Sequence, residues 1–169
     1  MKRVITARDD AGRSSIVDDG VPGTVVRFGP GFEVHELWRI DEAPTSVNAG
    51  GDPEKYSFEP AQGAVFRAVV IPPDDEVQRS LERGDKWGAN TPYRATGDDY
   101  GLHGTETIDF VSVVSGRVAV QMPDGSRSEL GPGDAVVQRG AVHSWRNAGP
   151  EPVVLHVAMI GTRHPSSGE

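Results

Sequence analysis

The chain has 169 residues, among them 21 Gly, 13 Pro and no Cys, and its 25 acidic residues outnumber 17 basic ones for a net charge of -8. So many turn-forming residues weigh against a long-helix architecture, where each costs about 1 to 3 kcal/mol in a helix interior, and favour many short strands. The missing Cys excludes a disulfide framework, a thiolate nucleophile, an iron–sulfur cluster and Cys-ligated zinc. The acidic balance argues against nucleic acid as a partner, since that affinity rests on Lys and Arg.

The turn signals at 9–12 and 18–23 open the chain. Between later turns lie β-branched or alternating runs, which predict strands at 23–28, 31–40, 64–71, 107–114, 117–122, 134–138, 143–147 and 153–160. Ser115-Gly116, the Pro123-Asp124-Gly125-Ser126 turn and Ala148-Gly149-Pro150 read as hairpin connections. One helix is predicted over 74–83. Pro73 precedes its acidic first turn, Val77 and Leu81 share a face, and Gly84 closes its end. A linker-like stretch follows over 85–99 and a tail with nothing to bury over 162–169. The division expected is an N-terminal arm of strands and turns (1–60), a barrel (61–161) and the tail (162–169). No segment approaches the roughly 18 apolar residues of a membrane span, so a soluble, cytoplasmic protein without membrane contact is expected.

The segment from Tyr100 to Gly116 carries the most chemistry. In a strand alternate residues share a face, so His103, Thr105, Thr107 and Asp109 point one way and run on into Val111 and Val113. If that face is the inside of a barrel, the polar end is the mouth and the Val end is core. The second segment, 131–147, offers a Gly-Asp turn, a strand, a tight turn at Gly140 and then His143.

Together the two segments resemble the paired motifs of the cupin superfamily. The first motif has a His-x-His pair, a Glu and, seven residues on, a Gly; His103, Thr105, Asp109 and Gly116 match its positions. The second has a Pro-x-Gly, a His three later and an Asn four after that; Gln138, Gly140, His143 and Asn147 match. Thr105 stands in place of the second His, Asp109 in place of Glu, and Gln138 in place of Pro. The pattern is similar to a subgroup of small bacterial and fungal single-domain cupins over about residues 63–160, and less closely over 31–45.

The resemblance implies an all-β fold: a cupin double-stranded β-helix, or jelly-roll barrel, with an N-terminal β arm and at most one short helix. It implies a divalent metal (Fe, Zn or Mn) held by His103, Asp109 and His143, a donor set compatible with open-coordination sites. Glu106 is the rival carboxylate, but it lies three residues from His103 and faces away. Thr105 and Thr107 are either ordinary strand residues or pocket-lining hydroxyls. Gln138 and Arg139 flank the Gly140 turn, where one of them can anchor a substrate oxygen, solvent exposure being the default reading of Arg139; Trp145 is a pocket wall or core. Arg67, the single charge in its apolar strand, either pairs with a carboxylate inside the barrel or marks a wet face. His35, His156 and His164 are read as non-ligating, and the arm as the basis of a homodimer by strand exchange. The expected activity is that of a metal-dependent enzyme acting on a small oxygenated or aromatic metabolite, by oxidative, isomerase or dehydratase chemistry. The alternative is a metal-free, non-catalytic binding or sensory barrel.

Overall fold

Residues 3–8, 14–41, 49–53, 56–60, 62–87 and 101–162 are described by a computed structural model of the chain. Among them the strands run in chain order as β1 (Arg3–Arg8), β2 (Ser14–Gly20), β3 (Thr24–Gly29), β4 (Phe32–Ile40) and β5 (Ala64–Ile71). A helix, α1 (Asp74–Glu82), precedes β6 (Thr107–Ser115), β7 (Val118–Gln121), β8 (Arg127–Leu130), β9 (Ala135–Arg139), β10 (Ser144–Arg146) and β11 (Val153–Gly161).

Six strands form one antiparallel sheet in the order β3-β4-β5-β11-β6-β9, three form a second in the order β10-β7-β8, and β1 pairs with β2 alone. The fold is an all-β jelly roll with one short helix, the architecture that the resemblance implies. The sheet crosses the boundary expected near residue 60, because β3 and β4 are hydrogen-bonded through to β5. β1 and β2 stand outside both larger sheets, and Arg3 ties them on by donating to the Leu37 carbonyl and pairing with Asp18 and Asp52.

Each strand predicted from alternation is present within a few residues of its expected ends. β6 shows why: its burial alternates strictly from Thr107 to Val113, with Thr107, Asp109, Val111 and Val113 inward. The inward Val residues join Val65, Ile71, Val118, Val153, Leu155 and Trp145 in one core. Each such side chain contributes about 1.5 to 3 kcal/mol of burial. The opposite face leaves Phe66, Phe110 and Val137 exposed, aligned across β5, β11, β6 and β9 by the register Phe66↔Ala158↔Phe110↔Val137.

Three strands were not predicted. β8 shows only one buried residue in four, so it carries no alternation, and β7 supplies its hydrogen bonds. β1 was not anticipated, and β2 occupies residues read as a turn: Asp18 to Gly20 pair with β1 across an irregularity at Ile5/Thr6. The turn expected at 9–12 and most of the linker and tail lie outside the described residues. The helix begins as predicted, with Asp74, Asp75 and Glu76 in its first turn, and Gly84 follows the Arg83 cap with φ +75°. Among the described residues no helix is long and apolar enough to cross a membrane.

Candidate functional site

The inward file of β6 opens onto a cavity of about 90 Å³. His103, Thr105, Asp109 and Arg67 line it together with Phe28, Phe32, Val34, Tyr56, Phe58, Val69, Val157 and Met159. Asp109 comes from the inward face of β6, while Thr105 and His103 precede that strand, His103 in an isolated bridge with His143; Glu106 is exposed.

His103 and His143 sit on separate segments that the backbone clamps together. Each N–H donates to the other's carbonyl at 2.9 Å, and the two rings lie 4.4 Å apart between centroids. Each ring has its Nδ1 2.9 Å from the carbonyl oxygen two residues earlier, Gly101 for His103 and Ala141 for His143. A carbonyl only accepts, so both Nδ1 atoms carry the proton and both Nε2 atoms keep the lone pair. Burial, followed by the neighbouring His143, pushes His103 down to about 4 against the pull of Gly101 and Asp109. Burial likewise lowers His143. Both imidazoles are therefore neutral at pH 7.

Asp109 lies deeper and is buried. One of its oxygens takes a hydrogen bond from Thr107, whose hydroxyl is 2.7 Å from that of Thr105. The other, Oδ1, has no partner. Burial raises its pKa, opposed by Thr107, Arg67 and His103. Gln138 is Asp109's register partner on β9; it is buried and its Nε2 is unpartnered. Thr107 and Gln138 support the polar file from outside the cavity lining. Trp145 packs edge-on against His143 at 5.6 Å and joins the core cluster.

Arg67 pairs inside the barrel. Its Nη2 is 2.9 Å from Glu36, both side chains being buried, and its Nη1 and Nη2 donate to the carbonyls of Phe58 and Ser57. The guanidinium also lies 5.2 Å over the Tyr56 ring, whose hydroxyl burial pushes up to about 12. Arg67 thus grips residues 56–60 from behind and holds them as a cavity wall, with Phe58 edge-on to His103 at 5.6 Å. The front of this wall is held by Glu59, which accepts from the Glu106 N–H at 2.7 Å.

Sequence reasoning missed Glu36, Tyr56 and Phe58. For Glu36 a signal existed: it continues the inward file Phe32, Val34, Glu36 of β4, an acid on an apolar face one strand from an inward Arg. Tyr56 and Phe58 carried none, because they lie outside any periodic run.

A metal is what the fold implies here, and the residues fit in part. Two neutral imidazoles with free Nε2 lone pairs are a donor pair of the right chemistry. Among the described residues, no three His, Asp or Glu side chains come together as a metal-binding group. Asp109 shares the cavity with His103 without completing such a group. The other histidines stand elsewhere: His35 pairs with Glu33 at 3.0 Å, His156 packs on Phe66, and His164 lies outside the described residues.

Comparison with known proteins places this barrel. The cupin domain family Cupin_2 matches residues 94–159. Phomopsin biosynthesis cluster protein C' of Diaporthe leptostromiformis is 39% identical over 156 residues, which are 86% of this chain and 69% of that protein. Phomopsin biosynthesis cluster protein D of the same organism is 28% identical over 157 residues, with the same shares of the two chains. Among solved structures, a Cupin 2 conserved barrel domain protein from Salinispora arenicola CNS-205 superimposes with a TM-score of 0.45 at 18% identity, covering 80% of each chain. The family match over residues 94–159 falls on the jelly-roll strands β6 to β11, and the two agree: the chain belongs to the cupin superfamily.

Proposed function

We propose that this cupin is a metal-dependent enzyme acting on a small oxygenated metabolite in a biosynthetic pathway. The observation that carries the reading is the pair His103 and His143, each with its Nδ1 proton committed to a backbone carbonyl and its Nε2 lone pair kept. The phomopsin-cluster relatives support the biosynthetic setting.

In this reading the Nε2 atoms of His103 and His143 hold a divalent cation, Fe, Zn or Mn, which supplies Lewis-acid or redox chemistry to a substrate oxygen. The protein does the rest. The Gly101 and Ala141 carbonyls keep both rings in one tautomer and orientation. Phe28, Phe32, Tyr56 and Phe58 exclude water and pack the apolar part of the substrate. Asp109 accepts a hydrogen bond from the substrate through Oδ1, while the Thr105 and Thr107 hydroxyls, donating in series towards it, hold its other oxygen in place. A homodimer is part of the proposal, and the exposed row Phe66, Phe110 and Val137 supports it.

Elemental analysis tests the reading. The purified protein, stripped with chelator and reloaded, takes up a divalent metal stoichiometrically, and His143→Ala loses it with its far-ultraviolet circular dichroism unchanged. A His143→Ala protein with full metal content would sink the assignment. Wild-type protein that takes up no metal would favour the metal-free binding barrel, which the largely apolar cavity wall also suits.

A further inference from the structure

Two groups in the cavity wall have hydrogen-bonding capacity that the protein leaves unused. Arg67 donates from its Nη atoms to the carbonyls of Ser57 and Phe58 and is ion-paired at 2.9 Å with Glu36, whose own oxygens take no hydrogen bond; its Nε–H, too, has no hydrogen-bond partner. Asp109 has one oxygen engaged by Thr107 and Oδ1 free of any partner. The two residues are only 4% and 5% exposed, and both line the cavity. A buried donor and a buried acceptor left unpaired are costly, which points to a ligand that supplies the missing halves.

Their placement sets the ligand's shape. β11 lies between β5 and β6. Arg67 stands opposite Val157 and Asp109 opposite Met159, so the orphan donor and acceptor flank an apolar floor made by those two side chains. Strand spacing separates the two backbones by roughly 10 to 12 Å, a gap that the side chains narrow. A cavity of about 90 Å³, at roughly 10 to 15 Å³ for each water-sized group, takes roughly six to nine such groups. Charge narrows the class further. Arg67 is the one permanent cation among the described lining residues, and Glu36 already matches it.

We infer that the cavity binds an uncharged hydroxy-carbonyl compound, or the hydroxy-carbonyl head of a larger one, whose hydroxyl donates to Asp109 Oδ1 and whose carbonyl oxygen accepts from Arg67 Nε. This rests on the small-molecule reading of the site and adds to it a substrate class. It also gives Arg67 a neutral oxygen rather than a carboxylate to recognise.

The test is a ligand-observed NMR titration of the purified protein with four small probes of similar size. These are 4-hydroxy-2-butanone, 4-methoxy-2-butanone (no donor), 1-butanol (no carbonyl) and 3-hydroxypropanoate (an anion). The first binds at least about tenfold more tightly than each of the others, and Asp109→Ala abolishes its advantage over the methoxy compound. Equal binding of the hydroxy and methoxy ketones overturns the role of Asp109, equal binding of the alcohol overturns that of Arg67, and tighter binding of the anion overturns the uncharged class. If no probe binds while the protein takes up metal, this inference fails and the proposed function stands. If neither probe nor metal binds, both fail.

Discussion

Glu36 and Arg67 are direct register partners across β4 and β5, both buried, and they meet at 2.9 Å in the middle of an otherwise apolar wall. Burial pushes the Glu36 carboxyl up, and the neighbouring guanidinium groups of Arg67 and Arg39 pull it back. Removing either partner strands the other's charge. Glu36→Leu and Arg67→Met are each expected to cost about 3 to 5 kcal/mol in urea unfolding. The double variant costs less than the sum by at least about 1 kcal/mol. Additive losses would show that the pair is not coupled.

The histidine pair gives a pH signature. Burial lowers both imidazoles below the ordinary value, His103 to about 4, so the unfolded chain binds these protons more readily than the folded one. The stability they allow is complete above about pH 6.5 and is lost as the pH falls towards 4. Asp109 and Glu36, raised by burial, act in the opposite sense, so the comparison has to be with a variant. His103→Asn keeps a donor for the Gly101 carbonyl and removes the titrating ring. With chelator present, it should gain on the wild type by about 1 to 3 kcal/mol between pH 7.5 and 4.5. Parallel pH curves would contradict a buried neutral ring.

Asn147, the last residue of the second motif, does structural work. It is buried, and its Nδ2 donates to the carbonyls of Ile71 and Glu151 at 3.1 and 2.9 Å. Its Oδ1 accepts from the Gly149 N–H at 3.1 Å. Its backbone exchanges hydrogen bonds with Asp74 at the head of α1. Asn147→Ala orphans the buried Ile71 carbonyl and the half-buried carbonyl of Glu151 and is expected to cost about 2 to 4 kcal/mol. Metal uptake at His143 should survive once the variant folds. A neutral substitution in thermal unfolding would refute this role.

Two glycines with positive φ separate backbone strain from crowding. At Gly133, φ is +93° and nothing lies within 4 Å of an added Cβ, so Ala there costs only the left-handed penalty of about 1 to 2 kcal/mol. At Gly63, φ is +74° and the Cβ would sit 1.9 Å from the Ile40 carbonyl oxygen. Gly63→Ala must also push β5 away from the end of β4, so its loss in a denaturant titration should clearly exceed that of Gly133→Ala. Equal losses would mean that the backbone there yields.

The strands easiest to read were those with one buried face. β6 alternates strictly from Thr107 to Val113, so its inward pair Thr107 and Asp109 follows from spacing, and the same period carried back reaches Thr105 and His103, which lie before the strand. β8 and the β1–β2 pair were hidden because hydrogen bonding to a neighbour, not burial, makes them strands. The candidate site divides in the same way. The residues on periodic strands were found, while Tyr56 and Phe58 sit on a segment shaped by Arg67's grip on two carbonyls, a tertiary contact that leaves no trace in local pattern. Glu36 was legible only as one half of a pair whose other half lies 31 positions later.

β11 is the last described strand in the sequence and yet lies near the middle of the large sheet, hydrogen-bonded to β5 on one side and β6 on the other. During synthesis, β3, β4 and β5 leave the ribosome with an open edge, and β6 and β9 form a second fragment with no partner on its inner side. Neither fragment can close until β11 emerges and zips them together. The nascent chain therefore stays without its cavity, and with two sticky edges, until β11 itself has been made.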